Sequence, residues 1–550
     1  MKKLVNREMM QEIDRITKEE FGMPSMVLME RAALKVYEHI LELMVEKLGT
    51  VKPLEGMEGK AIDSSKKRER EESVLVVCGC GNNGGDGVAI ARLLHLAGIN
   101  ASLTYLGSFK KATSEMQEQL VIAQNLGVPI ITEPTYNEYS IIVDAIFGVG
   151  LTRPITGEYE AAIAKINSSK AMVVAVDLPS GINADDGMVM NIAVKADVTV
   201  TFGYQKIGLI RYPGCEYAGN VFVEDVGFPD SAYDEMMMNH PNWSQSFTFT
   251  KEDLNRLPMR PQHSNKGTFG TVLVVAGSKG MSGACYFSAK AALRMGAGLV
   301  KIMTVSDNRQ IIQTALPEAV VITYDEEDMK QEHRIDSYRN VIQSADVIIV
   351  GPGLGKSQLS EEVLKMVLKH TKVPTIVDAD GINLLADWVA KAVKGDDEEE
   401  ELSEDLLKKR ITYLQEILPE NVILTPHLKE FSRLIQRDIR KIYKKFIDTV
   451  DICSYNKVLI YIIKDSITTV AKGKKRYYNT SGNDGLATGG SGDVLTGMIG
   501  GLIAQGLDAY EAACLGVFVH GLTSESYSKQ HYSGSMLASD IIEQIGDVLR

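Results

Sequence analysis

The sequence predicts an α/β protein of two domains, the first built on a doubly wound, mostly parallel sheet. Three observations support this. A chain of 550 residues is too long for one hydrophobic core. Short apolar runs alternate with helical patterns in both halves. The alternation stops near residues 227–249 and then resumes. We therefore predict domains at 1–228 and 249–550, joined by a linker at 229–248 that contains Pro229, Pro241 and three consecutive methionines.

Composition restricts the class of protein. Apolar residues make up 45% and charged residues 24%, as in globular domains, and the net charge of −13 argues against a nucleic-acid binder. The six cysteines form no C-x-x-C pair, which argues against a zinc site. Scattered cysteines are consistent with reduced thiols, as in a cytoplasmic protein. The N-terminus lacks the apolar segment of a signal peptide. Residues 486–507 are apolar, but their glycines and Asp493 favour a buried helix start over a membrane span, so no membrane partner is expected.

In the first half, Asn6 is predicted to cap a helix with apolar residues at helical spacing, and a second helix follows Pro24. Residues 49–72 are weakly apolar and end in a run of charges, which predicts a solvated loop or insertion. Strands are predicted at 74–77, 101–106, 128–131, 141–144, 172–177 and 198–202, and helices at 114–126 and 159–166.

In the second half, a strand, a glycine-rich turn and a helix are predicted in succession at 271–295. Further strands are predicted at 299–304, 347–350, 375–378, 422–424, 458–464 and 468–471. Residues 395–405 are almost all acidic, which predicts an exposed extension without chemistry.

A glycine-rich loop, GCGNNGGDG at 79–87, connects the first predicted strand of the α/β pattern to a helix. Its glycines satisfy the dinucleotide pattern G-x-G-x-x-G. However, Asp86 would repel a pyrophosphate, and the next strand lacks the acidic residue that binds a ribose. Asn82, Asn83 and Asp86 instead offer oxygens to a cation, a hydroxyl or an amide. The alternative is that these side chains only cap the helix.

Two further carboxylates end predicted strands. Asp144 precedes AIFGVGLTRPITG, and Asp177 precedes LPSGIN. Because ligands bind at the carboxyl ends of parallel strands, we expect Asp86, Asp144 and Asp177 to converge at one rim of the sheet. Helix capping is again the alternative. Arg153 is a candidate phosphate ligand, and Lys206 a weaker one.

Together, GCGNNGGDG, VDAIFGVGLTRPITG and DLPSGINADDG resemble the epimerase domain that repairs hydrated nicotinamide nucleotides, NAD(P)HX. The resemblance covers about residues 5–226, although Glu30-Arg31-Ala32-Ala33 departs from the usual Glu-Asn-Ala-Gly. It implies a Rossmann-like fold, inversion at C6 of the hydrated ring, and a potassium ion held by Asn83, Asp144 and Ser180. Asp177 is our candidate for the acid/base that this inversion needs. The substrate-binding residues that the resemblance implies are Asn82, Asn83, Gly84, Gly85, Asp86, Gly148, Val149, Gly150, Leu151, Thr152, Arg153, Pro154, Tyr159 and Asp177.

The strongest motif of the second half is GGSGDVLTG at 489–497. Glycines at a helix start present backbone N–H groups to a developing anion, and Asp493 beside them can act as a general base. This arrangement suits phosphoryl transfer to a hydroxyl. The chain has no Walker A lysine motif, which excludes the P-loop class. The alternative is a pair of glycine-rich packed helices, which leaves Asp493 unexplained.

GGSGDVLTG resembles the ribokinase-like superfamily. GSKGMSGACYFSAKAALRMGAG, GPGLG, DADGIN, TPHLKE and KDSIT narrow the resemblance to the ADP- or ATP-dependent NAD(P)HX dehydratase over about residues 249–550. It implies that Ala284, Gly353, His427 and Asp493 contact the hydrate. It also implies that Gly492 and the run Lys464, Asp465, Ser466, Ile467 and Thr468 hold the nucleotide, which would bind with Mg²⁺. Asp378 and Asp380 could line the site near magnesium or cap a helix. Ser491 stands where threonine is more usual.

The two resemblances imply one activity in two steps. The first half would interconvert (R)- and (S)-NAD(P)HX, and the second would dehydrate the (S) epimer at the expense of ADP or ATP, with ADP favoured. Its partners would be NADHX, NADPHX, ADP or ATP and, by resemblance, further copies of itself in a homo-oligomer. The alternatives are a small-molecule kinase fused to a non-catalytic Rossmann-like binding domain, and a first half that only binds ligand.

Overall fold

A computed structural model describes residues 1–48, 73–394, 403–455 and 459–550. They form two compact units, which we call the N-terminal unit (Lys3–Trp243) and the C-terminal unit (Ser244–Arg550 with Met1–Lys2). Each is a layered α/β structure, as the sequence predicts.

The predicted linker at 229–248 is mostly regular structure. Helix Asp230–Asn239 belongs to the N-terminal unit, and strand Gln245–Thr248 to the C-terminal unit. The helix buries Ala232, Tyr233 and Met236 against the first helix of the chain, because these three residues lie on one helical stripe.

The N-terminal unit contains seven helices and eight strands among its described residues. The helices are α1 (Arg7–Glu19), α2 (Ser25–Leu48), α3 (Asn82–Leu96), α4 (Ser114–Asn125), α5 (Glu158–Ser168), α6 (Gly214–Ala218) and α7 (Asp230–Asn239). The strands are β1 (Lys2–Val5, whose first residue is counted with the other unit), β2 (Ser73–Cys78), β3 (Asn100–Tyr105), β4 (Ile141–Ala145), β5 (Met172–Val176), β6 (Val198–Phe202), β7 (Gln205–Lys206) and β8 (Asn220–Glu224).

Six of these strands form a parallel sheet in the order β3-β2-β4-β5-β6-β8. The strands from β2 to β6 are largely buried on both faces, since one hydrophobic cluster packs under α2, α3 and α4 and another under α5, whereas the edge strand β8 is partly exposed. The order reverses between β2 and β4, and such a switch point opens a crevice at the carboxyl ends of the strands.

The C-terminal unit contains twelve helices and ten strands among its described residues. The helices are α8 (Ser282–Arg294), α9 (Arg309–Ala315), α10 (Glu332–Gln343), α11 (Gln358–His370), α12 (Asp380–Ala392), α13 (Glu404–Ile417), α14 (Leu428–Ile435), α15 (Ile439–Lys444), α16 (Phe446–Ser454), α17 (Ser491–Ala504), α18 (Ala509–Ser528) and α19 (Ala538–Val548). The strands are β9 (Gln245–Thr248), β10 (Thr271–Val275), β11 (Leu299–Val305), β12 (Val320–Tyr324), β13 (Val347–Val350), β14 (Thr375–Val377), β15 (Val422–Leu424), β16 (Ile460–Ile463), β17 (Thr469–Lys472) and β18 (Lys475–Tyr478).

The sheet of this unit runs β12-β11-β10-β13-β14-β15-β16-β17-β18-β9. The strands from β12 to β16 are parallel, and β17 pairs antiparallel with both of its neighbours. Two large hydrophobic clusters cover the two faces of the sheet, one formed with α8, α17, α18 and α19, the other with the helices from α10 to α16.

The apolar segment 486–507 contains the buried helix α17. A Cβ on Gly497 would lie 2.2 Å from the carbonyl oxygen of Ser288, so the glycine allows α17 to pack closely on α8. The alternative that glycines of GGSGDVLTG serve close packing of helices is therefore correct for Gly497. Within the described part of the chain, we find no helix that is both long and apolar enough to cross a membrane.

One predicted strand is wrong. Residues 128–131 form only an isolated bridge between Leu103 and Ile130, because Pro129 interrupts the run. Helix α3 also begins at Asn82, so the asparagines of the glycine loop are already helical. The predicted insertion at 49–72 and residues 395–402 of the acidic block lie outside the described residues.

Candidate active sites

The N-terminal unit contains a cavity of about 680 Å³ next to its switch point. The walls come from the segments that follow β2, β4 and β5, together with α1, α2 and the segment around β7. Predicted site residues in the wall are Asn82, Asn83, Asp86, Gly148, Val149, Gly150, Leu151, Tyr159 and Asp177.

The glycine loop is shaped by close backbone contacts. A Cβ on Gly79 would lie 2.1 Å from the carbonyl oxygen of Ile146, and one on Gly84 would lie 1.9 Å from that of Gly79. Any side chain at either position would force the loop apart. The glycines therefore bring the N-terminus of α3 against the end of β4, where the N–H groups of the helix and the Asn side chains reach the cavity.

Asp177 directly follows β5 and is bonded through both oxygens of its carboxylate. Its Oδ1 accepts hydrogen bonds from Lys206 Nζ at 2.6 Å and Thr201 Oγ1 at 3.1 Å, and its Oδ2 accepts from the backbone N–H of Val149 at 3.1 Å. Its φ of 68° lies in the left-handed region, which is costly for a residue with a Cβ and is characteristic of functional sites.

Lys206 is the cation bonded to Asp177 in this cavity, and its side chain is only 1% exposed. Besides Asp177, its ammonium donates to Thr201 Oγ1 and to the carbonyl oxygen of Phe202, each at 3.0 Å. All three ammonium hydrogens thus have partners. The sequence indicated Lys206 only as a weak phosphate ligand, whereas its bonds make it the partner of Asp177.

Asp86 lies in the second turn of α3 and is partly exposed to the cavity. Burial, followed by the negative charges of Asp177 and Asp14, raises the pKa of Asp86 well above its usual range. A raised pKa means that Asp86 holds its proton to higher pH than an exposed aspartate does.

Asp144 is fully buried and forms no part of the cavity wall. Its carboxylate accepts from Ser180 Oγ at 2.6 Å, the Ser180 N–H at 2.7 Å and the Ile146 N–H at 3.2 Å. Burial raises its pKa to about 6, against the lowering effect of these bonds. The expected convergence of three aspartates is therefore wrong for Asp144, which lies beneath the rim.

Asn83 approaches this cluster from α3. Its Oδ1 would lie 2.9 Å from a Cβ on Gly148, and the neighbouring Phe147 N–H donates to Ser180 Oγ at 2.8 Å. The amide nitrogen of Asn83 is buried and has no hydrogen-bond partner among the residues that the structure describes. Since amide oxygen and nitrogen are interchangeable assignments, Asn83 has an atom available for a ligand.

Some predicted residues do not reach the cavity. Gly84 and Gly85 are buried within α3, and Thr152, Arg153 and Pro154 are exposed but lie outside the cavity wall. The wall also contains residues that sequence reasoning missed: Asp14, Lys111, Phe147, Phe202 and Phe228. They come from separate segments, and only Phe147 belongs to a quoted motif, VDAIFGVGLTRPITG.

In the C-terminal unit, Asp493 lies in the first turn of α17, directly after the glycine turn. Gly490 has a φ of 90°, a conformation that glycine adopts without strain, and precedes the first helical residue, Ser491. Burial, and then the charge of Asp378, raises the pKa of Asp493 to about 7, although Lys464 opposes this shift. A carboxylate with a pKa near 7 is suited to general base catalysis.

Lys464 follows β16 and points toward the start of α17. Its Nζ donates to Asp378 Oδ1 at 2.8 Å and would lie 3.3 Å from a Cβ on Gly492. Asp378 follows β14, is 2% exposed at its side chain, and also accepts from Thr425 Oγ1 at 2.6 Å. The structure therefore places the Lys464 ammonium beside the Asp493 turn and explains Asp378 as its partner.

The segment 351–355 forms another part of this region. Gly353 has a φ of 57°, and a Cβ there would meet the Cβ of Ala284 at 2.9 Å, so these two predicted residues are neighbours. The N–H of Gly355 donates to Asp380 Oδ2 at 2.8 Å. Ala379, between the two aspartates, has a φ of 48°. Asp380 therefore orients the loop that carries Gly353.

His427 is the N-cap of α14. Its Nδ1 accepts from the N–H groups of Lys429 at 3.1 Å and Glu430 at 3.2 Å, which fixes the ring proton on Nε2. Its side chain is 48% exposed, and burial of the remainder lowers its pKa. The structure thus shows a capping role, and contact with a hydrate stays a prediction.

The predicted nucleotide segment after β16 is a turn. Thr468 Oγ1 donates to the carbonyl oxygen of Asp465 at 3.2 Å, and Asp465 accepts from Tyr443 at 3.1 Å. Ser466 is exposed at its tip. One contact near the Asp493 turn was not predicted: buried His520 bonds the carbonyl oxygen of Ser491 at 3.1 Å. Because burial lowers the pKa of His520 to about 4, this histidine is neutral and structural.

In a comparison with known proteins, each unit matches a protein family. Residues 25–208 match the family described as YjeF-related protein N-terminus, and residues 272–398 and 406–547 match NAD(P)H-hydrate dehydratase. Among solved structures, an ADP/ATP-dependent NAD(P)H-hydrate dehydratase from Bacillus subtilis, co-crystallized with ATP/Mg²⁺, is 27% identical. It covers 54% of this chain and 96% of its own, with a TM-score of 0.43.

Curated relatives match over nearly the whole chain. The bifunctional NAD(P)H-hydrate repair enzyme Nnr of Coxiella burnetii is 32% identical over 479 residues, which cover 86% of this chain and 89% of that protein. Nnr of Thermofilum pendens is 30% identical over 554 residues, covering 98% and 94%. This chain therefore belongs to the family of bifunctional NAD(P)H-hydrate repair enzymes.

Proposed function

We propose that this chain repairs hydrated nicotinamide nucleotides in two steps. The N-terminal unit interconverts (R)- and (S)-NAD(P)HX, and the C-terminal unit converts (S)-NAD(P)HX to NAD(P)H at the expense of ADP or ATP. Family membership across both units supports the pairing. The observation that carries the proposal is Asp493, a carboxylate with a pKa of about 7 at a glycine-rich helix start beside the Lys464 ammonium.

In the dehydratase step, Asp493 takes the proton from the C6 hydroxyl of the hydrate. The hydroxyl oxygen then attacks the terminal phosphate of the nucleotide. The first backbone N–H groups of α17 and the Lys464 ammonium face the negative charge that develops there. Phosphate leaves with the electron pair of the C6–O bond, assisted by the ring nitrogen, and loss of a proton from C5 restores the reduced ring.

In the epimerase step, the group at C6 leaves and returns on the other face of the ring. The cavity of about 680 Å³ lies in the range of small-molecule sites and combines aromatic walls with a few polar groups. Phe147 and Tyr159 lie with ring centroids 4.9 Å apart in this wall. Asp177 provides the carboxylate that an acid/base step needs.

A potassium ion fits the residues beneath this cavity. Asn83, Asp144 and Ser180 offer amide, carboxylate and hydroxyl oxygens, the donors that hard cations prefer, and the Asn83 amide has a buried atom without a partner. When bound, the ion would neutralise Asp144 and fix the loop that follows β4.

Magnesium would accompany the nucleotide in the C-terminal unit. The carboxylates of Asp378 and Asp380, which follow β14, are its candidate protein ligands. Since magnesium in such sites is bound by one or two carboxylates together with phosphates, two aspartates suffice. We also propose, from the family resemblance alone, that the chain is a homo-oligomer, which light scattering in solution would test.

The test is to supply mixed NADHX epimers with ADP or ATP and to follow absorbance of the reduced ring. Full recovery of NADH supports both activities. Recovery of the (S) fraction alone, followed by the slow spontaneous inversion of the remainder, would disprove the epimerase. A stable phosphorylated product without NADH would disprove the dehydratase and indicate a kinase.

A further inference from the structure

The cavity of the N-terminal unit contains two carboxylates whose surroundings differ. Asp177 and Asp86 both lie in its wall. Asp177 is bonded to a buried ammonium, whereas the charged groups that affect Asp86 most, Asp177 and Asp14, are both negative. The charge of Asp14 is itself met by Lys18, at 2.5 Å. Two carboxylates that share a site usually hold one proton between them, and the unequal surroundings decide which one has it.

Lys206 stabilises the ionised form of Asp177. The contact is 2.6 Å long, and Thr201 Oγ1 and the Val149 N–H add two further donors to the same carboxylate. Hydrogen-bond donors that contact both oxygens of a carboxylate stabilise its negative charge. Asp86 lies in the second turn of α3, and no described residue forms an ion pair with it, so the shared proton belongs on Asp86 when the cavity is free of substrate.

We propose that Asp86 is a second catalytic residue of the epimerase, the general acid that protonates the departing C6 hydroxyl, while Asp177 accepts a proton from the returning water. This inference rests on the proposed epimerase activity. It assigns to Asp86 a proton-transfer role in addition to the substrate contact that the family resemblance implies. Lys206 is the positioning residue that makes the two carboxylates unequal.

The step balances without any reagent except water. For one epimer, the C6–O bond breaks with its electron pair going to oxygen, the Asp86 proton completes a water molecule, and the ring nitrogen forms a double bond to C6. A water molecule then adds to the opposite face of C6, and Asp177 takes its extra proton. This proton returns to Asp86 through water before the next turnover of the same epimer. The other epimer follows the same path in reverse, with the roles of the two aspartates exchanged.

The decisive experiment uses the full chain without ADP or ATP, so that the dehydratase is idle. One purified NADHX epimer is incubated in water enriched in ¹⁸O, and both the epimer ratio and the label in the C6 hydroxyl are followed. We expect each inversion to introduce one solvent oxygen. Inversion that keeps the original oxygen would overturn the proposal, because the hydroxyl would then never have left.

Asp86→Asn should lower the kcat of inversion by at least about 100-fold, with a smaller effect on KM, since general acid catalysis contributes roughly 10²–10⁴-fold. Asp234→Asn is the matched control, because Asp234 is an exposed aspartate on α7 of the same unit, 64% exposed. Inversion by Asp86→Asn at the wild-type rate would overturn the acid role and leave the epimerase intact. Absence of inversion in the wild-type chain would instead disprove the epimerase itself.

Lys206→Met tests the positioning role through the pH profile. The titratable and charged side chains of the cavity wall and beside Asp86 are Asp14, Lys18, Cys78, Cys80, Lys111, Tyr159, Asp177 and Lys206. Removing the ammonium raises the cost of ionising both carboxylates, so both limbs of the kcat/KM profile should move to higher pH. A lower rate with an unshifted profile would show that Lys206 only supports the fold, and would overturn its assignment.

Discussion

Lys464 Nζ lies 2.8 Å from Asp378 Oδ1 and connects the end of β16 to the end of β14 beside the first turn of α17. The two residues are 86 positions apart in the chain. The carboxylate is buried and the ammonium mostly so, with side-chain exposures of 2% and 21%. A buried pair of this kind is costly to break from one side only, because the remaining charge loses its partner.

Lys464→Met should therefore abolish dehydration and destabilise the C-terminal unit by about 3 kcal/mol, since it leaves Asp378 unpaired. Urea unfolding would measure the loss. The double variant Asp378→Asn with Lys464→Met should regain much of this stability and stay inactive. Equal stability of the single and double variants would contradict the assigned pairing.

The rate of dehydration should depend on the ionisation of Asp493. Its pKa of about 7 means that the carboxylate is protonated below pH 7, so kcat/KM should fall about tenfold per pH unit as pH decreases below 7. Initial rates with (S)-NADHX between pH 5 and 9 would show this limb. A rate that stays constant down to pH 5 would exclude Asp493 as the base.

The raised pKa of Asp493 also predicts that folding stability depends on pH. A rise in pH, which should increase the rate, should lower the stability. The folded chain holds the Asp493 proton up to about pH 7, whereas the unfolded chain releases it near pH 4, so this carboxyl disfavours folding increasingly as pH rises between these values. Asp493→Asn should unfold like the wild type at pH 4 and be about 4 kcal/mol more stable at pH 8, since each pKa unit corresponds to about 1.4 kcal/mol. Thermal unfolding at both pH values is the measurement.

Gly148→Ala should reduce epimerisation strongly. The added Cβ would lie 2.9 Å from Asn83 Oδ1 and 3.0 Å from Asp177 Oδ2, so it would displace two site residues. Gly150→Ala, two residues later in the same loop, adds the same methyl group with no heavy atom within 4 Å and should reduce the rate less. The measurement is the inversion rate of each variant. Equal losses of rate would contradict the prediction that a methyl group at Gly148 displaces Asn83 and Asp177.

Ser180→Ala should remove the response of the epimerase to potassium. It deletes the bond to Asp144 and leaves the Phe147 N–H without its acceptor, at a cost of about 1–3 kcal/mol. Ser140→Ala is the matched control, because Ser140 Oγ likewise both donates and accepts, in two bonds to Ser73. The control should lose stability and retain a rate that rises when potassium replaces sodium. A variant of Ser180 that still responds to potassium would argue against this site.

Much of the fold could be predicted because apolar periodicity and turn residues act locally. The Asn6 cap, the helix after Pro24 and all of the long buried strands appear where their patterns indicate. The failures have local causes too. Pro129 prevents a ladder at 128–131, and the residues predicted as a linker form α7, whose apolar stripe needs α1 to be recognised.

The sequence by itself determined the identity of the chemistry. The motifs around Asp86, Asp177 and Asp493 contain the residue types that acid/base steps require, and their order along the chain is typical of this family. The motifs also placed Asp177 at the end of a strand and Asp493 at the start of a helix.

Only the tertiary structure decided how these groups are charged. Lys206 reaches Asp177 from another strand end, Lys464 reaches Asp378 across 86 residues, and Asp144 turns inward to Ser180 instead of facing the cavity. The pKa of a carboxyl depends on its burial and on neighbours brought close by folding. For this reason aspartates that look alike in sequence differ in the folded chain: Asp177 is bonded to Lys206, the pKa of Asp86 is raised by burial, and Asp144 is a buried candidate ligand for a cation.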